Sequence, residues 1–167
     1  MTGNTCPSDD AGPKEGIAAT TALAGSGAIL TISFSPESPT SEWFAVQLGI
    51  GSSDGRPLPN FQNSGRISRT DIVRLAAYLR KHIGPDSHHD ITPSEEYVPQ
   101  ELDFKIRALS GEAWSIRDGV FWLGVLLNYR CAGEDSVYAG VEMYVETADV
   151  LDWCTKLDET VQCLRAE

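Results

Sequence analysis

The sequence has no long apolar run and no recognisable leader segment. No stretch approaches the roughly 20 consecutive apolar residues that a membrane-spanning helix requires. The first residues include Asp9 and Asp10 but lack the basic flank and apolar core of a secretory signal. We therefore expect a cytoplasmic protein with no membrane partner.

Cysteine is scarce, and its spacing excludes the common metal and redox motifs. The four cysteines, Cys6, Cys131, Cys154 and Cys163, form no CxxC pair and no zinc-type cluster. If the last segment is a helix, Cys154 and Cys163 lie on opposite faces and too far apart for a disulfide. We expect reduced thiols, with Cys154 in the core, Cys163 exposed and no cofactor.

Catalytic motifs are also missing. Gly49, Gly51 and Gly55 do not have the GxGxxG spacing, and no GK[ST] follows them, so turns explain them better than a phosphate loop. There is no GxSxG motif, and the acidic neighbour Glu159 disfavours a reactive thiolate at Cys163. We therefore predict that the protein is not an enzyme, with a site assembled from distant residues as the alternative.

One polar segment, from Pro85 to Pro99, offers candidate metal ligands. His88, His89 and Asp90 supply nitrogen and oxygen donors of the kind that divalent metals bind. Adjacent histidines in a loop do not easily point at one ion, and the sequence has no second cluster. A hydrophilic loop without a metal is the prediction.

Positive charge is deficient in the second half of the chain. Residues 1–85 carry 7 acidic and 7 basic residues, whereas residues 86–167 carry 17 acidic and 6 basic residues, which accounts for the whole net charge of −11. Such a surface repels nucleic acid and favours a basic partner protein, although part of the surplus also serves solubility.

The length and composition predict one folded domain with a tail. The 167 residues are 41% hydrophobic, which is enough for a single core. Residues 1–27 are rich in Gly, Ala, Thr and Ser, so we expect a flexible N-terminal tail followed by a single domain over residues 28–167. We see no internal repeat in the sequence.

Hydrophobic periodicity predicts an α+β fold. Alternating apolar residues indicate half-buried strands, and apolar residues at a helical spacing indicate two helices. The order of these elements favours a mostly antiparallel sheet of about five or six strands with two helices packed on it. The predicted strands cover about 28–34, 44–50, 102–107, 120–129 and 137–145, and the predicted helices cover 68–83 and 148–165.

The order of segments resembles that of the WapI-type bacterial toxin immunity proteins. Four pieces carry this resemblance: the Trp43–Val46 strand, the Ser68–Leu79 helix, the Pro99–Phe104 strand entry, and the passage from Val145 to Leu157. The resemblance implies a protein that neutralises a cognate toxin by occluding its active site. Together with the acidic surplus, it predicts a partner that is a basic toxin or nuclease domain. The same surplus disfavours direct binding of nucleic acid.

The acidic half suggests which residues would contact such a partner. Carboxylates would steer the encounter, and aromatic side chains would anchor it. Two alternatives remain: a phage-type inhibitor that mimics nucleic-acid charge against a host defence nuclease, and a small hydrolase or ligand-binding domain. The oligomeric state is left open. The predicted partner-binding residues are Glu134, Asp135, Glu142, Asp152, Glu159, Tyr138, Tyr144 and Trp114.

Overall fold

The chain forms two antiparallel sheets and two helices. The structure, a computed structural model, describes residues 19–38, 41–53, 61–84, 89–101, 103–129 and 137–163. Each sheet has four strands, which hydrogen-bond in the order of the sequence. The α+β class is therefore confirmed, whereas the single sheet of five or six strands is not, because the strands within the described ranges form two sheets of four.

The first sheet is a meander in which every strand pairs with the next. Leu30, Ile32 and Phe34 alternate with half-buried polar residues, so one face of the sheet packs into the core. The other face carries small polar residues such as Gln47. Its strands are β1 (Ala19–Ala24), β2 (Ala28–Pro36), β3 (Trp43–Ser52) and β4 (Phe61–Ser68).

The second sheet repeats this arrangement. Phe121, Leu123, Val125 and Leu127 face the core from its central strand, and each of them is fully buried. Register shifts near Ala108 interrupt the pairing between two of the strands. The strands are β5 (His89–Ile91), β6 (Phe104–Ser115), β7 (Asp118–Tyr129) and β8 (Val137–Glu146).

Each sheet is followed directly by a helix, as the periodicity predicts. The first helix, α1 (Arg69–Ile83), begins after Ser68, whose Oγ accepts a hydrogen bond from Asp71 N, and ends at Gly84 with φ 74°. The second helix is α2 (Thr147–Cys163). Within the described ranges, neither helix is long and apolar enough to cross a membrane.

The two halves of the chain repeat the same topology, which corrects our expectation of no repeat. Each half consists of four strands and a helix, and α2 begins 78 residues after α1. Every buried position of α2 has a buried counterpart in α1 at that offset, although the residue types differ. The pairs are Arg69 and Thr147, Ile72 and Val150, Leu75 and Trp153, Ala76 and Cys154, Leu79 and Leu157, His82 and Thr160, and Ile83 and Val161.

Three of the strands were missed. The composition of β1 and β4 is unusual for strands, and β5 has only three residues and lies in the polar segment from Pro85 to Pro99 that we predicted to be a loop. β1 consists of Ala, Thr and Leu and lies in the stretch that we assigned to the tail, yet Leu23 is fully buried. The expectation of a tail through residue 27 therefore does not hold for residues 19–27, and residues 1–18 lie outside the described part. β4 is mostly polar, so hydrophobic periodicity does not predict it.

Both helices belong to one core that the two sheets share. The helices contact each other; α1 also contacts β4 and β6, and α2 contacts β1, β7 and β8. Each helix therefore contacts both sheets. The two halves therefore share one hydrophobic core.

The sheets also meet directly at two junctions. At the first, Asn63 Nδ2 donates to the carbonyl oxygens of Asp103 and Asn128, both at 2.9 Å. At the second, Ser26 N donates to Tyr144 O at 2.9 Å, and Tyr144 N donates to Ser26 Oγ at 3.0 Å. The second junction places the β1–β2 turn against the edge of β8.

Candidate partner-binding face

Three carboxylates form a row across the solvent side of the second sheet. Asp90 on β5 lies directly opposite Glu112 on β6, Glu112 lies opposite Val120, and Val120 lies opposite Glu146 on β8. All three acids are exposed, whereas the neighbouring residue Ile91 is buried on the other face. We call Asp90, Glu112 and Glu146 the acidic row.

The basic residues near the acidic row are paired with other acids. Lys105 Nζ and Arg107 Nε both lie 3.4 Å from carboxylate oxygens of Glu96. Arg117, in the turn between β6 and β7, donates to Asp152 on α2 at 2.6 Å. Within the described part of the chain, the acidic row has no ion-pair partner.

Exposed aromatic side chains lie on both sides of the acidic row. Trp122 on β7 is directly opposite Tyr144 on β8, and their ring centroids are 5.2 Å apart. Trp114 lies on β6, nearer the β6–β7 turn. Trp122, Tyr144 and Trp114 are 44%, 38% and 51% exposed, which is unusual for such large apolar groups.

This side of the second sheet therefore combines negative charge with exposed rings. Glu142 lies on the same side, opposite Gly124. Neighbouring strands are about 4.8 Å apart, so the acidic row from β5 to β8 spans about 14 Å. The acidic aromatic face, as we call it, consists of Asp90, Glu112, Glu142, Glu146, Trp114, Trp122 and Tyr144.

Four of the predicted partner-binding residues lie on this side of the sheet. Glu142, Tyr144 and Trp114 belong to the acidic aromatic face itself. Tyr138 lies further along β8, with Lys105 Nζ 4.4 Å from the centroid of its ring. Glu134 and Asp135 lie outside the described residues.

The two predicted residues on α2 lie away from this face. Asp152 is paired with Arg117 at 2.6 Å, so its charge is partly neutralised within the fold. Glu159 is exposed on the same helix. Neither residue belongs to the acidic row. Both lie on α2, whereas the exposed rings lie on strands of the second sheet.

Sequence reasoning missed Trp122 and the whole acidic row. The run from Val120 to Tyr129 is apolar at nearly every position and predicts a strand, but apolar residues alone do not indicate that its outer side is open at Trp122. The acidic row needs the register of four strands, because Asp90, Glu112 and Glu146 are distant in sequence. Strict alternation of exposed Glu142, Tyr144 and Glu146 along β8 is a signal that could have indicated the face.

The outer side of the first sheet is different in character. It forms an open groove of about 630 Å³ whose polar lining is uncharged. A second hollow, of about 530 Å³, lies at the Asn63 junction and contains Glu101 and Asp103. No group of three potential metal ligands occurs among the residues that the structure describes, and the predicted pair of histidines contributes only the backbone of His89 in β5, because His88 lies outside them.

One buried titratable group lies away from the candidate face. His82 on α1 is 7% exposed, its Nδ1 lies 2.7 Å from Ser94 Oγ, and its ring packs 4.8 Å from that of Phe121. Burial lowers the pKa of His82, and the backbone of Leu109 opposes this shift. The side chain is part of the core, so it offers no accessible base.

Comparison of the chain with models of known protein families and with curated proteins finds no match.

Proposed function

We propose that this protein binds a basic protein through the acidic aromatic face and acts as a toxin-neutralising immunity protein. The observation that carries the proposal is the acidic row. Like charges placed directly opposite each other on neighbouring strands destabilise a sheet. Asp90 and Glu112 are in that arrangement, and no described cation relieves it.

A basic partner would relieve this repulsion on binding. Its lysine or arginine side chains could pair with the acidic row. The protein's own cations nearby, Lys105, Arg107 and Arg117, are already paired with Glu96 and Asp152. The net charge of −11 would also speed the encounter by long-range attraction.

The exposed aromatic rings are a second feature that favours a protein partner. Trp and Tyr are the residues most often responsible for binding energy at protein interfaces, and cations bind favourably over their faces. Trp122 and Tyr144 lie in register between the acidic row and Glu142, so a basic side chain reaching either ring would lie near a carboxylate. This arrangement favours a protein partner over a small metabolite.

The immunity function follows from the partner that such a face fits. Toxin domains that act on RNA or DNA carry a basic active-site surface for the phosphate backbone. A protein that covers this surface with carboxylates and rings prevents substrate from entering. The resemblance in segment order to the WapI-type immunity proteins agrees with this reading.

The test is capture of a basic protein that depends on the acidic aromatic face. Tagged wild-type protein and the Glu112→Lys/Glu146→Lys variant are incubated with lysate of the native cell at low and high salt, and recovered proteins are identified by mass spectrometry. We expect the wild type to recover a basic protein and the variant to lose it. The nuclease activity of the recovered protein should fall when wild-type protein is added back.

The matched control changes the net charge equally at other places. Glu95 and Glu159 are exposed and lie outside the acidic row, so Glu95→Lys/Glu159→Lys should retain capture. Equal loss in both variants would mean that net charge alone matters. Equal retention in both would remove the acidic row from the binding site.

A further inference from the structure

The edge of β8 has open backbone hydrogen-bonding groups. Tyr144 directs both its N–H and its C=O away from β7, where they bond to Ser26. Because an antiparallel ladder repeats every two residues, Glu142 and Gly140 direct their backbone groups to the same side. Neither Glu142 nor Gly140 has a hydrogen-bond partner on that side among the described residues.

Among the residues that the structure describes, nothing gives this edge the usual protection against strand pairing. Folded proteins guard edge strands with proline, lysine, bulges or a covering segment. The stretch from Val137 to Glu142 contains no proline and no lysine, and Val137 is 50% exposed. Ala139 and Val141 are half-buried, so the core side of β8 continues as an apolar shelf at the edge.

We propose that an extended segment of the basic partner adds to the second sheet as a fifth strand along Val137–Glu142. The inference deepens the proposed function and rests on it, since the same partner would cover the acidic aromatic face. The β1–β2 turn occupies the backbone groups of Tyr144, so the added strand ends there. This stop fixes the register of the added strand.

The side chains of β8 determine what the added strand must carry. On the outer side it lies beside Glu142, which has no ion-pair partner within the described part of the chain, so a lysine or arginine fits there. On the core side it lies against the shelf of Val137, Ala139 and Val141, so small apolar residues fit there. A strand that alternates basic and apolar residues satisfies both sides.

Charge also distinguishes this partner from a second copy of the chain. Each copy carries a net charge of −11, and pairing of β8 with its own copy would bring two Glu142 carboxylates to one edge. Their repulsion opposes self-pairing, whereas a basic strand is attracted.

The test uses a synthetic peptide of alternating lysine and valine as the probe. Every pairing in the second sheet is antiparallel, so we place the added strand antiparallel to β8. If its lysines then lie on the side of Glu142, the lysine N–H groups face β8 and the valine N–H groups face solvent. We therefore compare three versions with the full chain by calorimetry: unmodified, N-methylated at the lysines, and N-methylated at the valines. We expect only methylation at the lysines to weaken binding, by about tenfold or more, since each methylated lysine loses a backbone hydrogen bond to β8.

Two variants at one position separate the backbone from the charge. Glu142→Pro removes the outward N–H, and Glu142→Gln keeps it while removing the same carboxylate. Proline is tolerated on an edge strand where the N–H faces outward, and thermal unfolding checks that the chain remains folded. We expect Glu142→Pro to bind the unmodified peptide more weakly than Glu142→Gln. Gly140 is unsuitable, because a Cβ there would collide with the carbonyl of Val125.

Three results would overturn strand addition. Equal binding of the lysine-methylated and valine-methylated peptides would mean that charge and apolar contact suffice, which leaves the proposed function standing. No binding of any version would reject the edge as a site for a basic strand, while the capture experiment on Glu112 and Glu146 decides the proposed function separately. If the wild type is a dimer in analytical ultracentrifugation and Glu142→Pro is a monomer, the edge of β8 pairs with a second copy of the chain and not with a basic strand.

Discussion

The carboxylate of Asp103 occupies the space that a side chain at Gly65 would need. Asp103 is buried, and its Oδ2 accepts a hydrogen bond from the backbone N–H of Arg66 at 3.0 Å. Since β4 is the last strand of the first sheet, this carboxylate caps an edge group and joins the two sheets. Gly65 is the position that allows so close an approach.

We predict that Gly65→Ala destabilises the protein by about 1–3 kcal/mol, because the new methyl group displaces the Asp103 carboxylate and leaves the Arg66 N–H without its partner. Chemical denaturation measures the change. Gly49→Ala is the matched control in the neighbouring strand, where a Cβ meets nothing within 4 Å. In the Asp103→Ala background, Gly65→Ala should cost clearly less; an equal cost in both backgrounds would contradict the explanation.

We predict that Glu112→Lys stabilises the folded protein. The substitution replaces the like-charge pair of Asp90 and Glu112 by an opposite-charge pair, which is worth about 0.2–1 kcal/mol across neighbouring strands. The gain should shrink in high salt. Glu95→Lys, away from the strand pairs, should not show the same gain; if Glu112→Lys is less stable than the wild type at low salt, the acidic row is not strained.

We predict that protonation of His82 weakens the fold at mildly acidic pH. Burial lowers the pKa of His82 below its ordinary value of 6.5, so the unfolded chain takes up the proton first. The contribution of His82 is therefore complete above about pH 6.5 and is lost as the pH falls from there through the folded-state pKa.

The measurement compares the free energy of unfolding at several pH values between 7.5 and 5.5. His82→Asn keeps a polar atom near Ser94 Oγ but does not titrate in this range. We expect the wild type to lose more stability than His82→Asn over this interval. Parallel pH profiles would show that His82 titrates alike in the folded and unfolded chains.

We predict that Cys154 is protected from thiol reagents while Cys163 reacts. Cys154 is buried on α2, and burial raises the pKa of its thiol to about 11, so both access and thiolate formation are suppressed. Cys163 is exposed at the end of the same helix. Alkylation followed by peptide mapping should label Cys163 in the native protein and Cys154 only in denaturant; prompt native labelling of Cys154 would contradict its placement.

The sequence predicts the parts of this fold in which apolar periodicity is strong. The helix after Ser68 and the helix near Thr147 are confirmed almost to the residue, because each combines a buried stripe with a capping or boundary signal. The burial of Cys154 and the exposure of Cys163 are confirmed for the same reason. Local sequence patterns are sufficient to predict an element whose core contacts are all made by one face.

The candidate site could be predicted only in part. Glu142 and Tyr144 share a face of one strand, which alternation alone predicts. The acidic row depends on how the strands of the second sheet are aligned. The alignment of β6 with β7 includes a register shift near Ala108, which no residue pattern indicates. The repeat is not evident from the sequence, because its halves match in buried positions and not in residue identities. Leu75 corresponds to Trp153, and Ala76 corresponds to Cys154.

The repeated four-strand and helix unit has a consequence for how the acidic aromatic face could arise. If two identical half-length chains with this topology formed a symmetric homodimer, every surface carboxylate would appear twice. Fusion into one polypeptide removes that constraint. One half can then carry carboxylates on the outer side of its sheet while the other keeps an uncharged groove there, which is the division that the two sheets of this molecule display.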